Sequence, residues 1–315
     1  MSASDGLPGA ERHRDPGDRA EPVAPSTIDL HSHTSRSDGL LPPAALASAA
    51  RASGVRLLAI TDHDTLAGVR ELQSSHRLPD GLHLVPGIEI NAVVRDRPEL
   101  VESEVHVLGL GVDPGDDELE AALARQRAAR RLRFDRMVAR LGDLGLSVGP
   151  ALEVQPPTDA DDALGRPRLA RALIAIGAAT SVEDAFERWL GRGRPGYVPR
   201  QGLGPVAAIQ AIRRAGGVAV LAHFSEAPRL RDVVTELVAA GLRGLEVYYR
   251  SFDRPTVAAV GAVARDLGLV ATGGSDYHGD RETYAEAHAG LWVPPAVEAP
   301  LREAIAEARA AQVPA

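Results

Sequence analysis

Short, nearly uninterrupted apolar runs alternate along this chain with stretches of helical period, and that alternation leaves few folds open. Val55–Thr61, Leu82–Ile90, Val105–Leu110, Val218–Ala222, Leu245–Tyr248 and Leu269–Thr272 read as strands, with Thr27–Leu30 before them and Gly290–Val293 as a last short one. Strands apolar on both faces need cover on both faces. Pro43–Ser53, Leu66–Ser75, Val206–Ala215, Leu230–Ala240, Thr256–Leu267 and Leu301 to about Ala310 carry helical spacing. Gly54, just past the first of these, is a common helix stop. Such alternation predicts an α/β fold, a parallel sheet or barrel wrapped by helices. In such folds chemistry collects at the carboxyl ends of the strands.

Metal-type ligands fall at those ends. His31 and His33 lie in DLHSHTSRSDG, Asp62 and His63 in ITDHDT, and Glu89 in GIEI. His106 lies in VHVLGLG, His223 in VLAHF, and Asp276 with His278 in GGSDYHG. Buried imidazoles and carboxylates are costly to desolvate unless a cation compensates them. Residues two apart in a strand share a face, so His31 and His33 can reach one ion. In DHD, one or two residues can ligate while the others hold imidazole N–H groups. Asp64 precedes a helix and is equally suited to cap it. Glu89 can bridge two cations. His106 departs slightly from the rule, since it lies within its apolar run. Gly273 and Gly274 let the backbone approach a crowded site. The chain has no cysteine, so thiolate zinc sites and a cysteine nucleophile are excluded. His, Asp and Glu suit Mn, Fe or Zn, with Mg as a further option. A polynuclear metal site serving a hydrolase follows.

An interruption from 113 to 204 breaks the strand–helix rhythm. It opens on a long helix, Asp116–Leu144, and continues with helical pieces at Arg166–Ile176 and Val182–Leu190. The segment Gly191–Arg200 reads as a loop from its Gly and Pro content. We expect a helical cap at 113–204 inserted into a barrel formed by 27–112 and 205–315. Residues 1–26 are polar, lack an apolar core segment, and are expected to form a disordered tail. No run approaches the roughly 20 apolar residues of a membrane span, so a soluble cytoplasmic protein with no membrane partner is expected. The net charge of −8 argues against a surface that coats nucleic acid. All 35 basic residues are arginine, so any solvated cationic position must be Arg whether or not it binds anything.

The ordered set HSHTSRSDG, TDHD, GIE, VHVLG, LAH and GGSDYHG resembles the motifs of the PHP (polymerase and histidinol phosphatase) superfamily over about Ile28–Val293. Its wording, with GRPRLARALI, GRGRPGYVP and AGGVAVLAH, is similar to the branch containing nucleoside 3′,5′-bisphosphate phosphatases and a 5′–3′ exoribonuclease. The resemblance implies a distorted (β/α)7 barrel with an inserted cap, holding two or three divalent ions. It implies that His31, His33, Glu89 and Asp276 hold the first ion. Glu89 would bridge to a second completed by His106 and His223. Asp38, His63 and His278 would hold a third, with Asp62 near it. His31, Glu89, His223 and Asp276 would then be the catalytic set, with hydroxide generated on the ions attacking phosphorus in line. Two departures stand out: Arg168 and Phe224 replace the His and Pro usual in relatives.

The reaction expected on this reading is hydrolysis of the 3′-phosphate of nucleoside 3′,5′-bisphosphates, with 5′–3′ trimming of short RNA as a related activity. A second substrate phosphate calls for bidentate cationic donors, and the cap supplies Arg133, Arg136, Arg166, Arg168 and Arg194. The partner expected is a small nucleotide or short RNA, without a stable nucleic-acid complex; protein partners are not readable. The competing readings are histidinol phosphatase or another small phosphomonoesterase, and a non-catalytic PHP scaffold module.

Overall fold

The computed structural model describes residues 25–94, 97, 100, 104–155 and 165–312; nearly all of the expected N-terminal tail lies outside them. In chain order the first half contains β1 (Ile28–Asp29), α1 (Pro43–Ala52), β2 (Leu57–Ile60), α2 (Ala67–Ser75), β3 (His83–Val93) and β4 (Glu104–Leu110). Then come α3 (Asp117–Asp143), α4 (Gly149–Glu153), α5 (Arg166–Ala175) and α6 (Val182–Ala185), which runs into a π-helical turn, Phe186–Leu190. The second half contains α7 (Pro205–Arg214), β5 (Val218–Leu221), α8 (Arg231–Ala239), β6 (Gly244–Tyr249), α9 (Arg254–Asp266), β7 (Val270–Gly274), α10 (Tyr284–Ala289) and α11 (Glu298–Ala310).

The seven strands form one sheet in sequence order. It curls until β1 and β7 meet: Leu30 N–H donates to Gly273 C=O at 3.1 Å, and Asp276 N–H to His31 C=O at 2.8 Å. The result is a nearly closed seven-stranded barrel. Successive residues face opposite ways, as strand geometry requires. Leu57, Ala59, Val85, Leu108, Leu110, Val218 and Val220 join one cluster with Leu301 and Ala304 of α11, which plugs one end. Their neighbours Leu58 and Ile60 pack outward on α1 and α2, and Val107, Ala219 and Leu221 pack on α7.

One strand reverses the expected parallel order. β4 runs antiparallel to both β3 and β5. The short link from Val93 to Glu104 offers no room for a helical crossover of a dozen residues or more, which a parallel neighbour needs. The reversal explains why His106 lies early in its run: in an inverted strand, the beginning lies where the other strands end. Gly290–Val293 is not a strand, although Leu291 and Val293 bury their side chains in the barrel cluster.

Helix α3 starts where Asp116 accepts the Leu119 N–H at 2.6 Å, with Asp117, Glu118 and Glu120 in its first turn, favourable for capping and for the helix dipole. Its buried stripe changes character along its length. Leu119 and Leu123 join the barrel's outer core. Phe134, Met137 and Leu141 join a separate cluster with α5 and the π-helical turn. Between them the buried residues are Gln126, Arg130 and Arg133. That polar middle crosses the ligand end of the barrel. Gln126 donates to Asn91 C=O at 2.7 Å, Arg127 donates to Asp64 C=O at 2.9 Å, and Arg130 pairs with the Asp64 carboxylate. Asp64 is therefore a clasp for α3 and not a cap of α2; the Thr65 hydroxyl accepts the Ala67 N–H instead.

Candidate metal centre

Glu89 lies where β3 has outrun β2, and it is fully buried. Its Oε2 is 3.2 Å from His31 Nε2, 3.2 Å from His33 Nε2 and 3.1 Å from His63 Nδ1. Its Oε1 is 2.8 Å from His106 Nδ1 and 3.4 Å from His223 Nε2. Asp276 Oδ1 lies 3.2 Å from His31 Nε2 and 3.1 Å from His33 Nε2. Asp38 reaches the far side, with Oδ1 3.3 Å from His278 Nε2 and Oδ2 3.7 Å from His63 Nε2.

Three groups able to hold a cation emerge among the described residues: His31–His33–Glu89–Asp276, His63–Glu89–His106, and His33–Asp38–His63–His278. Within each, the ligand atoms lie within 4.8 Å of one another. Atoms bound at about 2.0–2.1 Å around one tetrahedral ion stand about 3.3 Å apart, which is the spacing around Glu89. The buried atoms His31 Nε2, His33 Nδ1 and Nε2, His63 Nδ1 and Glu89 Oε2 have no hydrogen-bond partner. Orphaned buried polar atoms are rare and demand a cause. Here they point at one another, and divalent ions among them would satisfy the set.

Backbone strain marks the same place. His223 (φ 32°), Asp276 (φ 50°) and Asp64 (φ 53°) adopt the left-handed region without being glycine, a cost that persists where the surroundings fix it. Gly274 is needed for close approach: a Cβ there would stand 2.4 Å from the His31 backbone nitrogen.

The electrostatics are those of charges awaiting compensation. Burial opposes the charged form of His33, but the Asp276 and Glu89 carboxylates beside it outweigh that and raise its pKa to about 10. Burial likewise opposes the charge on His31, and Glu246, Glu89 and Asp276 overcome it. For His63 burial wins and its pKa falls. Burial works against ionised Glu89, yet the surrounding imidazoles, His63 and His31 foremost, hold its pKa well below the ordinary range.

Asp62 does not join these groups. Its carboxylate accepts the Thr34 N–H at 2.7 Å, the Thr34 hydroxyl at 2.8 Å and the Ser37 hydroxyl at 2.8 Å. It thereby braces the loop that carries His33 and Asp38. This corrects its expected place beside the third ion, because its lone pairs are already committed to that loop. Asp29 does similar work after β7, accepting from Ser275 N–H, the Ser275 hydroxyl and the Tyr284 hydroxyl.

Two residues escaped the sequence reading. Glu246 of β6 is fully buried and accepts from His31 Nδ1 at 3.1 Å. The available signal was an acid inside an apolar strand, the same one that singled out Glu89. Tyr249 donates to Asp276 Oδ2 at 3.1 Å and sits 5.4 Å, ring to ring, from His223. Burial, then Asp276 and Glu246, raise the Tyr249 pKa, so its hydroxyl stays protonated.

The cap arginines separate into two sets. Arg133 and Arg166 come together; burial, then Arg166, takes the Arg133 pKa down to about 10. Arg133 is only 7% exposed, donates to Val198 C=O at 2.8 Å and lies over the Tyr197 ring. No carboxylate pairs with it among the described residues. Arg166 lies over Phe186 and 3.9 Å from Glu104, which also pairs with Arg200, a cation the sequence did not single out. Glu104 and His106 are two apart on β4, so they share a face about 7 Å apart, and these arginines flank the imidazole cluster. Arg136 and Arg194 are exposed. Arg168 turns to α4, donating to Leu152 C=O at 3.1 Å. Phe224 is packed in the outer core.

Comparison with known proteins agrees with this geometry. The PHP domain model matches residues 29–130. The chain is 34% identical over 275 residues to the 5′–3′ exoribonuclease Rnm of Escherichia coli, covering 86% of this chain and 91% of the relative. It is 32% identical over 261 residues to a 3′,5′-nucleoside bisphosphate phosphatase of Chromobacterium violaceum, covering 82% and 89%. A solved structure from Bifidobacterium adolescentis, assigned as a metal-dependent phosphoesterase, superposes with a TM-score of 0.69 at 34% identity, covering 83% of this chain and 91% of the other.

Proposed function

From the premise that this chain belongs to the PHP family of metal-dependent phosphoesterases, we propose that it hydrolyses the 3′-phosphate of nucleoside 3′,5′-bisphosphates. Trimming of short RNA from its 5′ end is the same chemistry on a longer substrate. His31, His33, Glu89 and Asp276 would hold one divalent ion, Glu89, His106 and His223 a second, and Asp38, His63 and His278 a third. Mn, Fe and Zn suit these N and O donors, and Mg is the remaining option. When bound, the ions supply Lewis acidity and lower the pKa of water toward neutrality.

The chain's own residues do the rest. Glu89 and the strand ends fix the spacing of the cluster. The Tyr249 hydroxyl holds Asp276 from the side away from His31 and His33. α3 and the segment after the π-helical turn close over the mouth, with residues 113–204 acting as a cap, and they exclude water from one side. Arg133 and Arg166 orient the substrate by its second phosphate, and Tyr197 supports the Arg133 guanidinium from below. The enzyme is expected to work in the cytoplasm; no helix among the described residues is long and apolar enough to cross a membrane.

The observation that carries the substrate reading is the buried Arg133 beside Arg166: two cations held together at the edge of a phosphoesterase centre, one with no carboxylate partner among the described residues. A buried unpaired cation is expensive, and a substrate phosphate relieves it. The test is phosphate release by Mn-loaded protein from adenosine 3′,5′-bisphosphate, with 3′-AMP, AMP and histidinol phosphate alongside. Release from the bisphosphate to give AMP, with much slower release from 3′-AMP, supports the proposal. Equal turnover of 3′-AMP, or preference for histidinol phosphate, overturns it. Metal-loaded, folded protein inactive on all four would revive a non-catalytic role.

A further inference from the structure

Glu246 stands outside all three ligand groups, yet it is as buried as any residue in the barrel. Its carboxylate has two kinds of partner, and both are donors. His31 Nδ1 lies 3.1 Å from Oε1 and 3.3 Å from Oε2, and the His223 backbone N–H donates to Oε2 at 2.8 Å. An irregularity in the β6–β7 pairing follows directly after Glu246, the kind of bulge that re-aims a side chain.

We propose that Glu246 is the positioning residue that couples the first and second ion sites. By accepting from His31 Nδ1 it fixes the proton there and leaves the Nε2 lone pair directed at Glu89 and Asp276, where an ion needs it. By accepting from the His223 N–H it holds the left-handed turn (φ 32°) that carries His223 Nε2 to 3.4 Å from Glu89 Oε1. One carboxylate thus sets a ligand of each site, and loosening it affects both. The inference rests on the metal reading of the cluster.

Glutamine keeps the shape of Glu246 but replaces one acceptor oxygen by a donor. With both partners donating, the one remaining oxygen must serve both, and the amide N–H set 3.1 Å from His31 Nδ1 competes by drawing the imidazole proton to Nε2. The variant E246Q and the wild type are compared in three measurements: dissociation constants for Co2+ and Zn2+ by chelator competition, the visible spectrum of the Co2+ protein, and histidine tautomers of the Zn2+-loaded protein by 15N NMR. The expected result is folded E246Q with 10–100-fold weaker metal affinity, an altered Co2+ spectrum, and loss of the Nδ1–H tautomer of His31. Folded E246Q with wild-type affinity and spectrum overturns the inference and leaves the metal reading standing. Wild-type protein that takes up neither ion overturns both. If E246Q does not fold, the wild-type tautomer decides: a proton on His31 Nδ1 supports the role of Glu246, and one on Nε2 refutes it.

Discussion

Glu89→Gln tests the site most directly, because it keeps the volume and removes one charge. Both carboxylate oxygens are within 3.4 Å of imidazole nitrogens, three around Oε2 and two around Oε1. A unit charge pair 4 Å apart is worth about 4 kcal/mol at an effective dielectric of about 20. That corresponds to about 10³-fold in affinity for each ion touching Glu89, at about 1.4 kcal/mol per decade. Treating a divalent ion as a single charge makes this a floor. The amide also places an N–H among nitrogens that must stay free as ligands. The assay is metal content of the purified variant by mass spectrometry, Zn2+ affinity by chelator competition, and phosphate release from adenosine 3′,5′-bisphosphate. We expect at least one equivalent of metal to be lost, with turnover falling in parallel. A folded Glu89→Gln protein that keeps the wild-type metal content and affinity would refute the bridging role and, with it, the site as drawn.

Arg133→Met should raise KM for the bisphosphate by roughly 10–100-fold, the size of a lost charge-assisted hydrogen bond of about 1.5–3 kcal/mol, while 3′-AMP turnover changes little; an equal change on both substrates counts against a second-phosphate role. Arg130→Met strands the buried Asp64 carboxylate and is expected to cost about 3–5 kcal/mol in urea unfolding, with less loss when Asp64→Asn is added; additive single and double variants would mean the clasp is inert. In chelated protein, His33, raised from 6.5 to about 10, contributes stability that is complete below pH 6.5 and disappears as pH climbs through 10. Urea titrations of metal-free protein at pH 6.5 and 10 should therefore differ in that direction, and metal uptake near pH 7 should release protons, measurable by calorimetry in buffers of different ionisation heat.

Much of this protein is legible before folding because its chemistry repeats along the chain. Most apolar runs contain, or are soon followed by, a His, Asp or Glu, and both periodicity and ligand type are local properties. Hence the barrel, the helices that cover it, and His31, His33, Glu89, His106, His223, Asp276 and His278 can be read in one dimension. What stayed hidden depends on direction and on which lone pairs are already spent. The reversal of β4 is set by the length of a link and the sheet's closure, and it alone accounts for the early position of His106. Asp62 and Asp64 carry the same residue type beside the same His63, yet one braces the Thr34–Ser37 loop and the other clasps Arg130. Glu246 is as acidic and as apolar in its flanks as Glu89, and only packing decides that donors, not ligand atoms, surround it. The arginines are the sharpest case: a chain without lysine gives every cation the same letter, and burial alone separates Arg133 from Arg136 and Arg194. Residue type and spacing determine which groups can do the chemistry; the tertiary structure determines which of their atoms remain free to do it.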